Sequence, residues 1–365
     1  GANATMRVAF TTITGNQVPQ YFLGTAGRAQ YNYAEKYMLE FALSYNGTNR
    51  YPKKKRYGWF PAVGAGWDLA KEKFLETNWL NQLKLRATYG TVGDASDAGY
   101  YNYLQYYSGG TAYNFGNSAT AYSGVKEAAL ANPNLSWAKT NMLNMAVDMA
   151  FFDQQLSVTI ERYNNKLYDL LQTRGDATAV NGFVYPLENL GIQRSKGMEY
   201  TASWHSHINN FQYYISGNLT TVNRIIEYND EVQNKYSWIN RTGQSVFMPY
   251  GYQSDGLFQT EAEIAASAKP FGYQPVPGDI KYKDLNNDGR IDQYDVTAIA
   301  PNKPQVMYGL TLGFNWKNFD FSALIQGIGN RYETVGTITR WEFQLNGLGQ
   351  AYEHHLGRWT PENAA

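Results

Sequence analysis

The chain has 365 residues, with 31 Lys and Arg against 31 Asp and Glu, so a net charge of zero gives no electrostatic case for nucleic acid or for adsorption to an anionic membrane surface. There is no cysteine, which excludes a disulfide framework, a thiolate zinc site and thiol chemistry. The 31 Tyr, 17 Phe, 9 Trp and 34 Gly describe aromatic-rich strands and turns, and no stretch approaches the roughly 18 to 20 consecutive apolar residues of a membrane helix.

A strand barrel would escape that last test, because its apolar signal falls on alternate residues. A weak first strand is expected near Arg7 to Thr14. In YMLEFALSY, Tyr37, Leu39, Phe41, Leu43 and Tyr45 share one face and Met38, Glu40, Ala42 and Ser44 the other. LKLRATYG sets Leu83, Leu85, Ala87 and Tyr89 against Lys84, Arg86 and Thr88, and LSVTIE sets Leu156, Val158 and Ile160 against Ser157, Thr159 and Glu161. Phe211, Tyr213, Ile215 and Leu219 oppose Gln212, Ser216, Asn218 and Thr220; Tyr308, Leu310, Leu312, Phe314 and Trp316 oppose Gly309, Thr311, Gly313, Asn315 and Lys317; Phe319, Phe321, Ala323 and Ile325 oppose Asp320, Ser322 and Gln326.

A soluble antiparallel sandwich shows the same alternation, but its strands usually run about 5 or 6 residues. These segments hold the pattern for roughly 9 to 11, the length a tilted strand needs to cross a bilayer. The connections alternate too. A long insertion follows the strand ending near Thr91, then come a short turn at Phe151 to Gln155, a long connection from Arg174 to Gln193, and a short turn at His205 to Asn210. A very long stretch from about Arg224 to Gln305 and a corner at Lys317 and Asn318 complete the series. Short turns on one side and long loops on the other are the topology of an outer-membrane barrel. Trp67, Trp79, Trp204, Trp316, Tyr37 and Tyr45 would form headgroup-level girdles, while Glu40, Lys84, Arg86, Asp148, Glu161, Glu199 and Lys317 would line a wet lumen. About ten or eleven strands are too few to close so polar a pore, and open edges are forbidden in lipid. The fold expected is an all-β, antiparallel transmembrane β-barrel, of which this chain is one part.

Within the longest connection, DLNNDGRIDQYD fits a twelve-residue calcium loop, with Asp284, Asn286 and Asp288 at positions 1, 3 and 5 and Gly289 at the turn. Arg290 would offer its carbonyl at position 7, with Asp292 and Asp295 at positions 9 and 12. The flanks GDIKYK and TAIAPNKP are too short and Pro-punctuated for EF-hand helices, so this is a lone loop with an affinity expected in the extracellular range of about 10⁻⁴ to 10⁻³ M. The alternative is an ion-free Asx-rich turn. In either case its role is to stiffen the loop.

Enzyme chemistry finds little support. There is no GxSxG, HExxH or P-loop. His205 and His207 fall at a tight turn with no carboxylate-rich motif nearby, His354 and His355 are adjacent near the C-terminal end, and Asp230 and Glu231 read as loop-solvating charges.

The run RAQYNYAEKYMLEFALSYNGTNRYPKKKRYGWFPAVGAGWDLAKEKF, followed by WLNQLKLRATYGTVGD, resembles the barrel of SusC/RagA-family TonB-dependent outer-membrane transporters, nutrient importers of Bacteroidetes. The family pattern NYxxKYxLxxxxRxDGSxxF is largely matched from Asn32, with Ser44, Asn46, Thr48 and Tyr51 where Arg, Asp, Ser and Phe are usual. PGDIKYKDLNNDGRID (Pro277 to Asp292), PNKPQVMYGLTLGFNWKNFDFSALIQGIGN and RWTPENA (Arg358 to Ala364) match as well, so the likeness runs from about residue 28 to the end.

The resemblance implies the C-terminal portion of a barrel of about 22 strands with long extracellular loops. The signal peptide, accessory domain, TonB box, plug and final strands of the family lie outside this sequence. It further implies TonB-dependent uptake of oligosaccharides or glycans, with a SusD-like surface lipoprotein capping the loops and TonB acting through the N-terminal part. Tyr106, Tyr107, Tyr113, Trp238, Tyr250 and Tyr252 are candidates to stack on sugar rings, with lid contact or loop packing as the alternative roles. A peptide importer of the same family fits equally, and so does passive diffusion if no plug exists. A secreted all-β, calcium-stabilised glycan-binding or adhesion module is the rival class. No catalytic residue or other cofactor is expected.

Overall fold

The computed structural model describes residues 19–114, 116, 121–177, 180, 182, 184–336 and 340–364; the weak strand expected near Arg7 to Thr14 lies outside them. Ten long strands are β1 (Phe22–Tyr33), β2 (Tyr37–Thr48), β3 (Tyr57–Asp68), β4 (Leu80–Asp94), β5 (Ala138–Phe151), β6 (Leu156–Thr173), β7 (Leu187–Ile208), β8 (Phe211–Tyr228), β9 (Val306–Trp316) and β10 (Phe319–Gly329). They form one ten-stranded antiparallel sheet in which each strand pairs with its neighbour in sequence. This meander leaves β1 and β10 as its edges. In a membrane those edges need further strands of the same barrel, since hydrocarbon offers unpaired backbone no partner.

The connections at one end are compact: residues 34–36, 69–79, 152–155, 209–210 and 317–318. Those at the other end are residues 49–56, 95–137, 174–186 and 229–305. Tight reversals are made by residues with positive φ, among them Phe152, Asp153 and Gln154, then Asn209, then Lys317. Lys317 therefore sits in the corner itself, its ammonium 5.2 Å from the Trp316 ring, and does not line the lumen as the alternation alone implied.

Several strands outrun the expected span of roughly 9 to 11 residues. β7 has 22 residues and β6 and β8 have 18 each. Toward the long loops their polar and apolar residues no longer sort cleanly by face, as in Arg162 to Thr173 and Leu187 to Arg194, so they continue beyond the apolar belt. The last two long connections are therefore shorter than the sequence implied: one ends at residue 186 instead of Gln193, and the other starts after Tyr228 instead of near Arg224.

Pairing register confirms the two faces. Glu40, Arg86, Asp148, Glu161 and Glu199 point to the inner one, where Arg86 donates to Asp148 at 2.9 Å and to Glu161 at 2.7 Å, and Arg28 pairs with Glu40 at 2.7 Å. Thr159 donates to the other Asp148 oxygen at 3.1 Å. On the outer face Trp59 is 63% exposed, while its inward neighbour Phe60 is 5% exposed. The girdles are present as ring contacts: Tyr37 on Trp67 (6.1 Å) and Trp79 on Phe151 (5.9 Å) at the compact end, and Tyr45 on Trp59 (4.4 Å) and Tyr57 (5.2 Å) toward the long loops.

The main packed apolar cluster lies under the long loops. Tyr51, Phe60, Ala98, Leu135 and Trp137 are buried together, and the Trp137 indole donates to the Arg56 carbonyl at 3.1 Å. Beside it the Arg50 guanidinium holds the carbonyls of Ala95, Ser96 and Ala98 at 2.8 to 2.9 Å. One cation on three carbonyls ties the β2–β3 loop to the start of the β4–β5 loop without any ion pair.

Candidate functional site: the long loops

The β8–β9 connection folds on itself instead of hanging free. Its first bend is closed by Glu231, whose carboxylate accepts from the amides of Arg241 (3.0 Å) and Thr242 (2.8 Å). The helix α1 (Glu261–Ala266) begins at Thr260, which accepts from the Glu263 amide at 3.2 Å, while Glu263 reaches back to the Gln259 amide at 2.9 Å. This reciprocal pairing satisfies amide donors that a helix start leaves open. The Gln259 amide first, then Lys281 at 3.1 Å, holds the Glu263 carboxyl below its ordinary range. Lys269 closes the other end on the carbonyls of Ile264 (2.6 Å) and Ala265 (3.2 Å).

The twelve-residue loop follows. Asp284 at position 1 accepts from the amides of Asp288 (3.2 Å) and Gly289 (2.8 Å), and Asp288 accepts from the Arg290 amide at 2.9 Å. Asn286 bonds Asp288 at 2.9 Å. Asp295 at position 12 is fully buried and accepts from the amides of Leu285 (2.8 Å) and Asp292 (2.9 Å). Gly289 has a φ of 80°, the left-handed turn that the spacing requires. No helix flanks the loop: Ile280–Tyr282 and Val296–Ala298 are short strands, paired with Ser254–Leu257 and Tyr250–Tyr252. Among the described residues no three acidic or histidine side chains converge as a ready-made cage. The donors present, carboxylates, one amide and the Arg290 carbonyl, are all oxygens suited to a hard cation.

The six aromatic candidates divide. Tyr106, Tyr107 and Tyr113 stand exposed on the β4–β5 connection, Tyr107 in a short ribbon with Glu127 and Tyr113 opposite Tyr122. Trp238 is in the loop's packing, stacked on Tyr236 at 4.6 Å with its indole N–H donating to the Tyr294 carbonyl at 2.9 Å. Tyr250 is also in the packing, with its hydroxyl on the Asn240 carbonyl at 2.7 Å and Arg241 over its ring. Tyr252 lines a cavity. It has a volume of about 560 Å³ and is lined by Tyr252, Phe271, Tyr273 and Tyr282, together with Asp292 and Gln293 of the twelve-residue loop. Phe271 is 88% exposed, an aromatic with no packing reason to be there. Phe271 and Tyr273 escaped the sequence reading; the signal was their place in KPFGYQP, a stretch punctuated by Gly and Pro and lacking strand alternation.

The structure also joins two stretches singled out separately in the sequence. Trp359 of RWTPEN packs on Gly278 of PGDIKYKD, and its indole N–H donates to Gln259 at 2.9 Å.

Comparison with known proteins places this architecture. The family model described as "TonB dependent receptor-like, beta-barrel" matches residues 3–361. TonB-dependent receptor P26 of Formosa agariphila is 27% identical over 99% of this chain and 37% of its own length. TonB-dependent receptor SusC of Bacteroides thetaiotaomicron is 28% identical over 90% of this chain and 33% of its own. The solved RagAB peptide importer in its open-open state superposes with a TM-score of 0.73 at 19% identity, over 94% of this chain and 36% of that one. This chain thus spans about a third of the length of the relatives it matches. With apolar and charged faces in register, compact turns at one end and folded loops at the other, the chain belongs to the TonB-dependent receptor β-barrel family and is part of an outer-membrane barrel.

Proposed function

We propose that this chain is the C-terminal barrel portion of a SusC-like importer that takes up oligosaccharides in a TonB-dependent manner, beneath a SusD-like surface lipoprotein. The carrying observation is the cavity of Tyr252, Phe271, Tyr273 and Tyr282, which Asp292 and Gln293 also line. Flat aromatic walls match the C–H faces of sugar rings, and polar lining residues such as Asp292 and Gln293 suit their hydroxyls. The charged, hydrated inner face beneath would pass a large polar solute without an apolar barrier. The likeness to SusC supports the reading.

Peptide uptake is the second reading, because the same walls accept apolar side chains; the fold likeness to the RagAB peptide importer keeps it in view. Uptake of labelled oligosaccharides and of labelled peptides, each with and without TonB, separates the two. Oligosaccharide accumulation that vanishes without TonB is the expected result; accumulation of peptides alone would replace it, and TonB-independent leakage would defeat both. Recovery of a lipoprotein with the full-length transporter tests the lid.

In the same reading the twelve-residue loop takes calcium through Asp284, Asn286, Asp288, Asp292 and the Arg290 carbonyl, while Asp295 closes the loop on its own amides. The ion would stiffen one wall of the cavity and take no part in transport chemistry.

A further inference from the structure

The outer face carries one feature that an apolar belt does not need. Pairing places Leu39, Ala65, Ala87, Met145, Arg162 and Met198 in a single row across β2 to β7. Five are apolar and the sixth is an arginine. On β5 the outward positions Leu143, Met145, Val147, Met149 and Phe151 are apolar and only Asn141 and Lys139 above them are polar, whereas on β6 the apolar run is Leu156, Val158 and Ile160, ending two rungs lower with Arg162 and Asn164 opposite Met145 and Leu143. The belt is notched at β6. Above Arg162 the next rungs pair Asn164 with Lys196 and Lys166 with Arg194, so a cationic ladder climbs two neighbouring strands toward the long-loop side.

One carboxylate, Glu227, serves the upper ladder: it pairs with Arg194 and lies within electrostatic range of Lys166 and Lys196, so a single anion faces three cations. Arg162 makes no ion pair among the described residues, whose other pairs on these strands use Arg86 and Lys139. An exposed guanidinium facing acyl chains is unfavourable unless it meets an anion or reaches the headgroup layer. The protein also provides room beside it. Small Ala65 and Ala87, between the larger Trp67, Leu39, Met145 and Met198, leave a groove of about 910 Å³ that Ile160 and Arg162 also line.

We propose that this groove and ladder form a binding site for a phosphorylated, acylated lipid of the outer leaflet. An acyl chain lies along Ala65 and Ala87, and a headgroup phosphate is held by Arg162 and Lys196. These two residues are diagonal neighbours on adjacent strands, close enough for two long cationic side chains to share one anion. The complementarity of charge favours a lipid over a second copy of the chain, whose matching face would bring the same cations together.

The test uses the full-length transporter in mild detergent, stripped of lipid and then offered bis-phosphorylated lipid A or its dephosphorylated form, with bound lipid counted by native mass spectrometry. Retention of the phosphorylated form is expected to be about tenfold stronger than that of the dephosphorylated form, and about tenfold weaker in Arg162→Gln/Lys196→Gln. Ala87→Trp, which fills the groove and leaves the cations, should also reduce it, while Lys84→Gln on the inner face should not. Heat-modifiable gel migration checks that every variant is folded. Equal retention of the two lipids, equal retention by the double variant, or oligomerisation through this face that the double variant abolishes would each overturn the proposal.

Discussion

The indole of Trp359 lies against the backbone of Gly278, so that a Cβ at that glycine would stand 2.6 Å from the ring. Gly278 has a φ of 96°, and its amide donates to the Phe258 carbonyl at 2.7 Å. Two requirements, a left-handed backbone and a flat surface for the indole, fall on one residue, and glycine alone meets both. Gly278→Ala is expected to cost about 1–3 kcal/mol, concentrated in residues 229–305 and leaving the sheet intact. Limited proteolysis should show faster cleavage in that connection, and Trp359→Ala should reproduce it. A G278A protein as resistant as the parent would mean that the contact does not organise the loop.

The inner face gives a second expectation. Arg86 serves Asp148 and Glu161 together, and all three side chains are only 20 to 32% exposed. Removing the cation leaves two carboxylates facing each other without it. Arg86→Gln should therefore lower stability by about 1–3 kcal/mol, and adding Glu161→Gln should recover part of the loss. Thermal unfolding in detergent of the two variants forms the comparison; an additive double variant would show that the three groups do not act as a unit.

Acid sensitivity is expected at the compact end. The Tyr37 hydroxyl first, then the Lys36 ammonium and the Trp67 indole, pull the Glu72 carboxyl from 4.5 down to about 2. Because its folded value lies below its unfolded one, the carboxylate stabilises the folded state above about pH 4.5, and that contribution is lost as pH falls toward about 2. Trp67 fluorescence followed through this window should report loosening of the turn, and Glu72→Gln should flatten the transition. An unchanged profile in the variant would assign the acid response to other groups.

At the cavity, Tyr252→Ala and Phe271→Ala each remove an aromatic wall. If substrate stacks there, each should raise the half-saturating concentration for uptake by roughly tenfold, the equivalent of about 1.4 kcal/mol, while maximal uptake stays near the parent's. Trp238→Ala should instead loosen the loop, since its ring and N–H are engaged with Tyr236 and Tyr294. Identical kinetics in the Tyr252 and Phe271 variants would remove the cavity from the transport path.

Calcium at about millimolar concentration should slow proteolysis within residues 284–295, with half-protection at about 10⁻⁴ to 10⁻³ M. Asp284→Asn should shift that midpoint upward. Cleavage rates indifferent to calcium and to its chelation would leave an amide-closed Asx loop as the whole account of this motif.

Alternation in the sequence was sufficient for the two-faced strands, for the compact and long ends, and for the inward placement of Glu40, Arg86, Asp148 and Glu161. Those features follow from a period of two along each strand and from turn residues between strands, which are local properties. Local reading also located the twelve-residue loop and its glycine turn. It erred at Lys317, because a corner residue with positive φ continues the alternation in print but not in space. It drew β7 and β8 too short, because toward the long loops their polar and apolar residues stop sorting by face and the periodic signal is lost.

What local reading could not supply was register and docking. That Arg162 shares a row with Leu39, Ala65, Ala87 and Met145 depends on four successive strand pairings, and sliding any one of them by a single residue would turn the strand's side chains to the opposite face. That Tyr252 opens on a cavity while Trp238 and Tyr250 are used in packing depends on how a long connection folds against itself. The meeting of Trp359 with Gly278 joins segments with no local signal for each other. The chain's period fixes which way each side chain points, and only the closing of distant segments onto one another fixes what it points at.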